Sequence, residues 1–363
     1  MTPDAAELQR RARKLLPPAL YDYYAGGSGR ERTLRASEKA WRQVWMAPRV
    51  LREVASVDTA TRMLGTTFAT PLCVAPTGYQ GLAHPDGELA AAAGAARAGA
   101  LYVLSTRSTC RIEDVGEAVA AEGGTWWFQV YLMRDRGLTE GLVRRAAAAG
   151  AAALVLTADT PVVGRKRRDS DDGVVSDEVF LVNLGPLDDL DAADQAADLS
   201  FADIGWLRDA GGGLPVVVKG VLRGDDARAC RAHGAAAVIV SNHGGRQLDG
   251  ALPAALALPD VVAALRKGGS GGEESRAGNC EIYADGGIRT GEDALAALAL
   301  GASAVFLGRP ALWALTCGGA DGVQSLLDGL TGDLAHAMAL AGAASVAETA
   351  GIARLDVAGW QPR

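Results

Sequence analysis

The sequence predicts an α/β protein: a (β/α)8 TIM-type barrel with extra N-terminal helices and C-terminal closing helices. Three observations predict it. Eight short apolar runs alternate with longer Ala/Leu-rich, charge-flecked segments. The runs are continuously hydrophobic, as strands buried on both faces of a parallel sheet are. Several intervening segments end in Gly just before the next run, as in Ala98-Gly99-Ala100, Ala149-Gly150-Ala151, His233-Gly234-Ala235 and Leu300-Gly301-Ala302, which is a helix C-cap signal. A chain of 363 residues is long enough for one such barrel.

Taken in order, residues 1–60 read as two helices and a lead-in. The first, MTPDAAELQRRARKLL, has acids among its bases and no apolar centre, so it reads as an amphipathic helix and not as a signal peptide. The barrel is expected over 61–319. Its strands are Leu72–Ala75, Leu101–Leu104, Trp126–Tyr131, Ala153–Thr157, Pro215–Lys219, Ala236–Val240, Glu281–Ala284 and Ala304–Leu307. Helices are expected around Gly87–Ala98, Ile112–Glu122, Leu138–Ala149, Phe201–Ala210, Asp225–His233, Pro259–Arg266 and Gly291–Ala299, with another after Arg309. Residues 320–363 read as closing helices. The acidic, aperiodic stretch Asp169–Leu199 is long for a barrel loop and reads as a lid. Lys267–Asn279 holds a formal G-x-S-x-G from Gly268 to Gly272. It lacks the strand before and helix after that a nucleophile elbow needs, so it reads as a loop.

Composition narrows the function classes. Hydrophobic residues make up 49% and charged residues 22%, which excludes a mainly disordered chain. The net charge of −7 argues against a nucleic-acid binder or a polybasic membrane surface. No uninterrupted apolar run is long enough to span a bilayer. Five scattered cysteines without a C-x-x-C pair indicate neither a zinc site nor a disulfide framework, and four of them read as buried or half-buried. A reduced, cytoplasmic setting is expected.

Chemistry in this architecture sits at the C-terminal ends of the strands. The seventh ends in Asp285-Gly286-Gly287-Ile288-Arg289 and the eighth in Gly308-Arg309. Gly-rich turns ahead of helix N-termini, with two forked cations, suit a phosphate. The fifth ends in Lys219. A buried lysine there faces an anion, forms a Schiff base, or stabilises charge on an electron-accepting ring. The sixth ends in Ser241-Asn242-His243-Gly244-Gly245-Arg246. His243 is the candidate base, and Asp159, at the end of the fourth, is its candidate orienter, expected to raise its pKa. His84, His233 and His336 read as structural.

APTGYQGLAHPDGE, WFQVY, LTADTPVVGRK, PVVVKGV, SNHGGRQLD, DGGIR and GASAVFLGRP, with the early YDYYAGGSG, resemble in order and spacing the FMN-dependent 2-hydroxy-acid oxidase/dehydrogenase family. The resemblance implies that Pro76, Thr77, Gly78, Ser105, Gln129, Thr157, Lys219 and Ser241 hold the flavin ring. It implies that Asp285, Gly286, Gly287, Arg289, Gly308 and Arg309 hold the ribityl chain and phosphate. Tyr23, Tyr131, Lys166 and Arg246 would bind the substrate, with His243 as base, Asp159 orienting it, and Lys219 stabilising the reduced flavin. The implied partners are a small anionic 2-hydroxy acid and oxygen or another electron acceptor. A homo-oligomer, a tetramer by resemblance, is implied as well.

The sequence also departs from that family. Lys166 stands where the family usually has Arg, so Lys166, or Arg165 or Arg167 in its place, would meet the acid. Ser170-Asp171-Asp172-Gly173 replaces the usual segment after it. Gly78 stands where oxidases often have Ala. Tyr79 and Arg107, beside the substrate side chain, suggest a larger, aromatic or polar acid. A flavin-binding barrel without turnover and a phosphate-binding Schiff-base barrel are the alternatives.

Overall fold

The computed structural model describes residues 4–166, 168, 175–267 and 280–355. Eight parallel strands close into a barrel. They are β1 (Leu72–Val74), β2 (Tyr102–Leu104), β3 (Trp126–Val130), β4 (Leu154–Thr157), β5 (Val216–Val221), β6 (Ala237–Val240), β7 (Glu281–Asp285) and β8 (Ala304–Leu307). Each pairs with its neighbours in chain order, and β8 closes onto β1.

The continuous hydrophobicity of the runs has a two-layer cause. Alternate side chains point to opposite faces. Leu101, Val103, Trp127, Val155, Val217, Ile239, Tyr283 and Phe306 fill the barrel interior, while Tyr102, Leu104, Phe128, Leu156, Val218, Val240 and Leu307 face the helices. Trp127, Tyr283 and Phe306 pack ring against ring at 5.8–6.2 Å between centroids, so the barrel centre is a packed core.

The helices follow their expected order. Gly99, Gly150, Gly234 and Gly301 all take positive φ at the helix ends, the left-handed conformation that a C-cap needs. Thr290 and Asp293 form a reciprocal capping box at Gly291–Leu300. The helix expected at Pro259–Arg266 instead begins at Ala254. Pro259 lies inside it at the sixth position, where its missing N–H forgoes the i→i−4 bond to the Ala255 carbonyl. The last helix, Arg309–Ala341, breaks direction at Gly318-Gly319, where φ and ψ leave the helical region.

Before the barrel lie three helices, not two: α1 (Ala5–Leu15), α2 (Pro18–Ala25) and α3 (Arg32–Trp41). Pro17 and Pro18 follow the first helix directly, and Pro18 begins a second where its missing N–H costs nothing. A hairpin, Thr61–Met63 with Thr66–Phe68, closes the N-terminal end of the barrel with buried Met63 and Phe68. The lid expected at Asp169–Leu199 is docked in its second half. Ala196 N donates to Leu132 O, Arg134 N donates to Asp194 O, and the Asn183 side chain accepts from Ile112 N. Ser170 to Gly173, Arg167 and the G-x-S-x-G lie outside the described residues.

All five cysteines are free, three buried and two half-buried. Among the described residues no helix is long and apolar enough to cross a membrane, and no cluster of His, Cys, Asp and Glu suits a metal ion.

Candidate active site

The loops at the C-terminal ends of the strands enclose a cavity of about 470 Å³. Most of the residues singled out in the sequence line it: Tyr23, Pro76, Thr77, Gly78, Ser105, Tyr131, Lys166, Lys219, His243, Arg246, Asp285, Gly286, Gly287, Arg289, Gly308 and Arg309. Gln129, Thr157, Ser241 and Asp159 stand behind this wall and position it.

His243 is set by its backbone. It takes φ +57, and Gly244 and Gly245 follow at +59 and +75. Its Nδ1 lies 2.9 Å from Asp159 Oδ1. Asp159 reaches it because Gly220 interrupts β5 at φ +107; a Cβ there would come within 2.5 Å of Asp159 Cβ. Burial holds the imidazole below its ordinary pKa, and the Lys219 charge adds to this, against the upward pull of Asp159. Asp159 thus raises it as expected, but desolvation of the cation is larger and sets the net direction. Burial alone would raise the Asp159 carboxyl, but His243 and Lys219 bring it below the carboxylate range.

Lys219 is buried. Its Nζ donates to Ser241 Oγ at 3.1 Å and lies 3.3 Å from Asp285 Oδ2. Burial would lower its pKa, yet Asp285 and Asp159 raise it overall, so the ammonium stays charged. A Schiff base needs the neutral amine, which this setting disfavours.

A buried polar chain links β2, β3 and β4. Gln129 Oε1 accepts from Ser105 Oγ and from Thr106 N, both at 3.1 Å, and Gln129 Nε2 donates to Thr157 Oγ1 at 2.9 Å. Such a fully bonded chain fixes its members in place.

The opposite end is an anion cradle. Gly286 and Gly287 take φ +85 and +90, and a Cβ on Gly287 would come within 2.3 Å of Ser37 O. The helix beginning at Arg309 has no side-chain cap at Gly308, so its first N–H groups and its dipole face the cavity. Arg309 donates to the carbonyls of Tyr24, Gly26 and Gly244 at 2.8–3.0 Å. Burial, with Arg246 and Arg289 close by, pushes its pKa down to about 9. Asp285 Oδ1 is buried without a hydrogen-bond partner among the described residues. Crowded cations, open N–H groups and an unpaired acceptor at one end of the cavity suit a phosphate with a hydroxylated chain. These residues fit FMN.

Arg246 Nη1 donates to the carbonyls of Tyr23, at 2.7 Å, and Gly26, at 3.0 Å, and its guanidinium lies over the Tyr23 ring at 5.3 Å. The backbone of Lys166 bridges Ser28, which brings the fourth loop against the N-terminal segment. Of the two arginines expected as alternatives to Lys166, Arg165 is exposed and outside the cavity lining.

Several contributors were not anticipated. Gln247 Nε2 donates to Thr160 Oγ1 at 2.7 Å, and Thr160 Oγ1 lies 3.4 Å from His243 Nδ1. The buried Glu88 carboxylate accepts from Gln80 N and Thr109 N, tying the first loop to the second. Glu38 accepts from Arg289 at 2.8 Å. Gln247 lies inside SNHGGRQLD and Thr160 inside LTADTPVVGRK, which was their only signal. Glu88 closes the APTGYQGLAHPDGE motif without a chemical signal of its own, and nothing in the spacing of Glu38, on α3, marks it.

The sequence profile of the FMN-dependent dehydrogenase family matches residues 12–353. The chain is 43% identical over 354 residues to 4-hydroxymandelate oxidase of Amycolatopsis orientalis, covering 94% of this chain and 95% of that one. It is 41% identical to L-lactate oxidase of Nostoc sp., covering 93% of each. It is also 41% identical to glycolate oxidase 1 of Zea mays, covering 94% and 92%. Among solved structures, mandelate oxidase superposes with a TM-score of 0.87 at 42% identity, over 98% of this chain and 99% of that one. The chain belongs to the FMN-dependent dehydrogenase family and is an oxidoreductase with FMN as its cofactor.

Proposed function

We propose that the protein oxidises an (S)-2-hydroxy acid to the 2-oxo acid, and that the substrate is a larger, aromatic acid of the mandelate type. The observation that carries this is the His243–Asp159 pair beside Lys219 and Arg246, in one cavity with the anion cradle. The hydroxymandelate and mandelate oxidase relatives support the aromatic class. Tyr23, Tyr79, Tyr131 and Phe180 on the cavity wall support it too.

When bound, FMN supplies the ring that accepts two electrons from the substrate. Pro76, Thr77, Gly78 and Ser105 line its place, with Gln129, Thr157 and Ser241 bracing them. Asp285, Gly286, Gly287, Arg289, Gly308 and Arg309 hold its chain and phosphate. Lys219 supplies positive charge to the ring. Arg246 clamps the substrate carboxylate as a fork, Lys166 adds a point charge, and Tyr23 and Tyr131 donate hydrogen bonds. Asp159 occupies His243 Nδ1, so Nε2 accepts the substrate proton. Removal of the C2–H proton or the hydroxyl proton uses that same atom. Oxygen or another acceptor completes turnover. A homotetramer and a cytoplasmic setting are part of this reading, supported by the family resemblance and by the unpaired thiols.

The test is anaerobic flavin reduction across aliphatic and aromatic (S)-2-hydroxy acids, followed by admission of oxygen. Bleaching of the ~450 nm flavin band is expected, fastest with an aromatic acid. No bleaching with any acid overturns the reading. Peroxide formation on reoxidation assigns oxygen as acceptor.

A further inference from the structure

We infer that Arg107 and Gln195 form a polar subsite that reads a hydroxyl at the far end of an aromatic 2-hydroxy acid's side chain. The inference rests on the 2-hydroxy-acid reading above and specifies the substrate class.

Arg107 follows β2, whereas His243 and Arg246 follow β6. In the closed strand order these strands are four apart, on opposite sides of the barrel mouth. All three side chains line the same cavity. An acid held by its carboxylate at Arg246 therefore extends its side chain toward Arg107. Gln195 reaches the same wall from the long β4 loop, whose backbone bridges Met133 at the end of β3.

Both groups have bonding capacity left over. Among the described residues the Arg107 guanidinium makes one hydrogen bond, from Nη2 to Ala193 O at 2.8 Å, and its Nη1 is buried without a partner. Gln195 Oε1 is likewise buried without a partner. An unsatisfied guanidinium nitrogen and an unsatisfied amide oxygen are each costly.

The two groups are complementary to one functional group. Arg107 donates and Gln195 accepts, and a hydroxyl does both. A second carboxylate would satisfy only Arg107, and it would meet the Asp194 carboxylate on the same wall. The intervening surface is aromatic: Tyr79, Tyr131 and Phe180 line it, with Phe180 stacked 4.2 Å from the Arg107 guanidinium. A ring carrying a distal hydroxyl matches that sequence of surfaces.

The test compares anaerobic flavin reduction in the holoenzyme by (S)-mandelate, (S)-4-hydroxymandelate and (S)-2-hydroxyglutarate. The hydroxylated aromatic acid is expected to bind about 10- to 100-fold more tightly than mandelate, the range for hydrogen bonds to a charged group. Arg107→Met is expected to bring that ratio close to one, and Arg107→Lys to restore part of it. Gln195→Leu is expected to reduce it while leaving the Arg107–Ala193 bond in place. Flavin titration identifies a variant that has failed to fold. Equal binding of the two aromatic acids, or tightest binding of the diacid, overturns the inference alone. A preference that survives both Arg107→Met and Gln195→Leu does the same. Absence of reduction by all three acids overturns the underlying reading and the inference with it.

Discussion

Asp159→Asn isolates the electrostatic part of the proposed mechanism. The substitution keeps the shape and an acceptor oxygen 2.9 Å from His243 Nδ1 but removes the charge. While His243 is neutral, little is lost. Once it takes the substrate proton, an imidazolium stands near the Lys219 ammonium without its counter-charge. Charge centres ~4 Å apart interact by about 4 kcal/mol at an effective dielectric near 20. The amide returns ~1 kcal/mol as a neutral hydrogen bond. The difference of ~3 kcal/mol corresponds to roughly 100-fold in rate. Stopped-flow anaerobic reduction at saturating acid reads it directly. The pH profile gives a second measure. Reduction needs the neutral imidazole, so its rate rises with pH through the His243 pKa. Burial has already moved that pKa below the ordinary value. Removing the carboxylate that pulls it up moves the acid limb lower still, even as the plateau drops. A rate within threefold of wild type, or an acid limb shifted upward, would refute the pairing.

His243→Ala is expected to bind FMN normally yet lose ~100- to 10,000-fold in reduction rate; retained fast reduction would reassign the base. Arg309→Met is expected to weaken FMN affinity at least ~10-fold by fluorescence titration, whereas unchanged affinity would move the phosphate elsewhere. Lys166→Ala is expected to raise KM for the acid about tenfold while sparing FMN binding, and an unchanged KM removes it from the site. Gly287→Ala places a Cβ at 2.3 Å from Ser37 O at a φ of +90. It is expected to cost at least ~2 kcal/mol in urea unfolding, and a wild-type midpoint would show that α3 yields at Ser37.

The barrel was legible because each strand is buried on both faces, so its hydrophobicity is local information. His243, Lys219 and Arg309 were legible for a related reason. A charged or titratable residue ending an apolar run needs a partner wherever the chain folds. What the sequence did not disclose depends on long-range pairing. The hairpin at Thr61–Phe68 is short and mixed in character, and only its place under the barrel makes Met63 and Phe68 core residues. The Ser28–Lys166 bridge joins segments more than a hundred residues apart. The net direction of the His243 pKa shift was not legible, because burial, which decides it, is not a property of neighbouring residues. Gly220 was visible as a residue, but its function of admitting Asp159 was not.

The carbonyls of Tyr24 and Gly26 meet the guanidinium of Arg309, 285 and 283 residues further along the chain. A nascent chain emerging from the ribosome at about 5–20 residues per second therefore makes the base, the lysine and the first glycine turn well before the last cation arrives. The flavin pocket cannot be completed during most of synthesis. Cofactor loading is consequently a late event, gated by release of the final strand and helix. A chain cut back past Gly26 from one end, or past Arg309 from the other, loses the same contact.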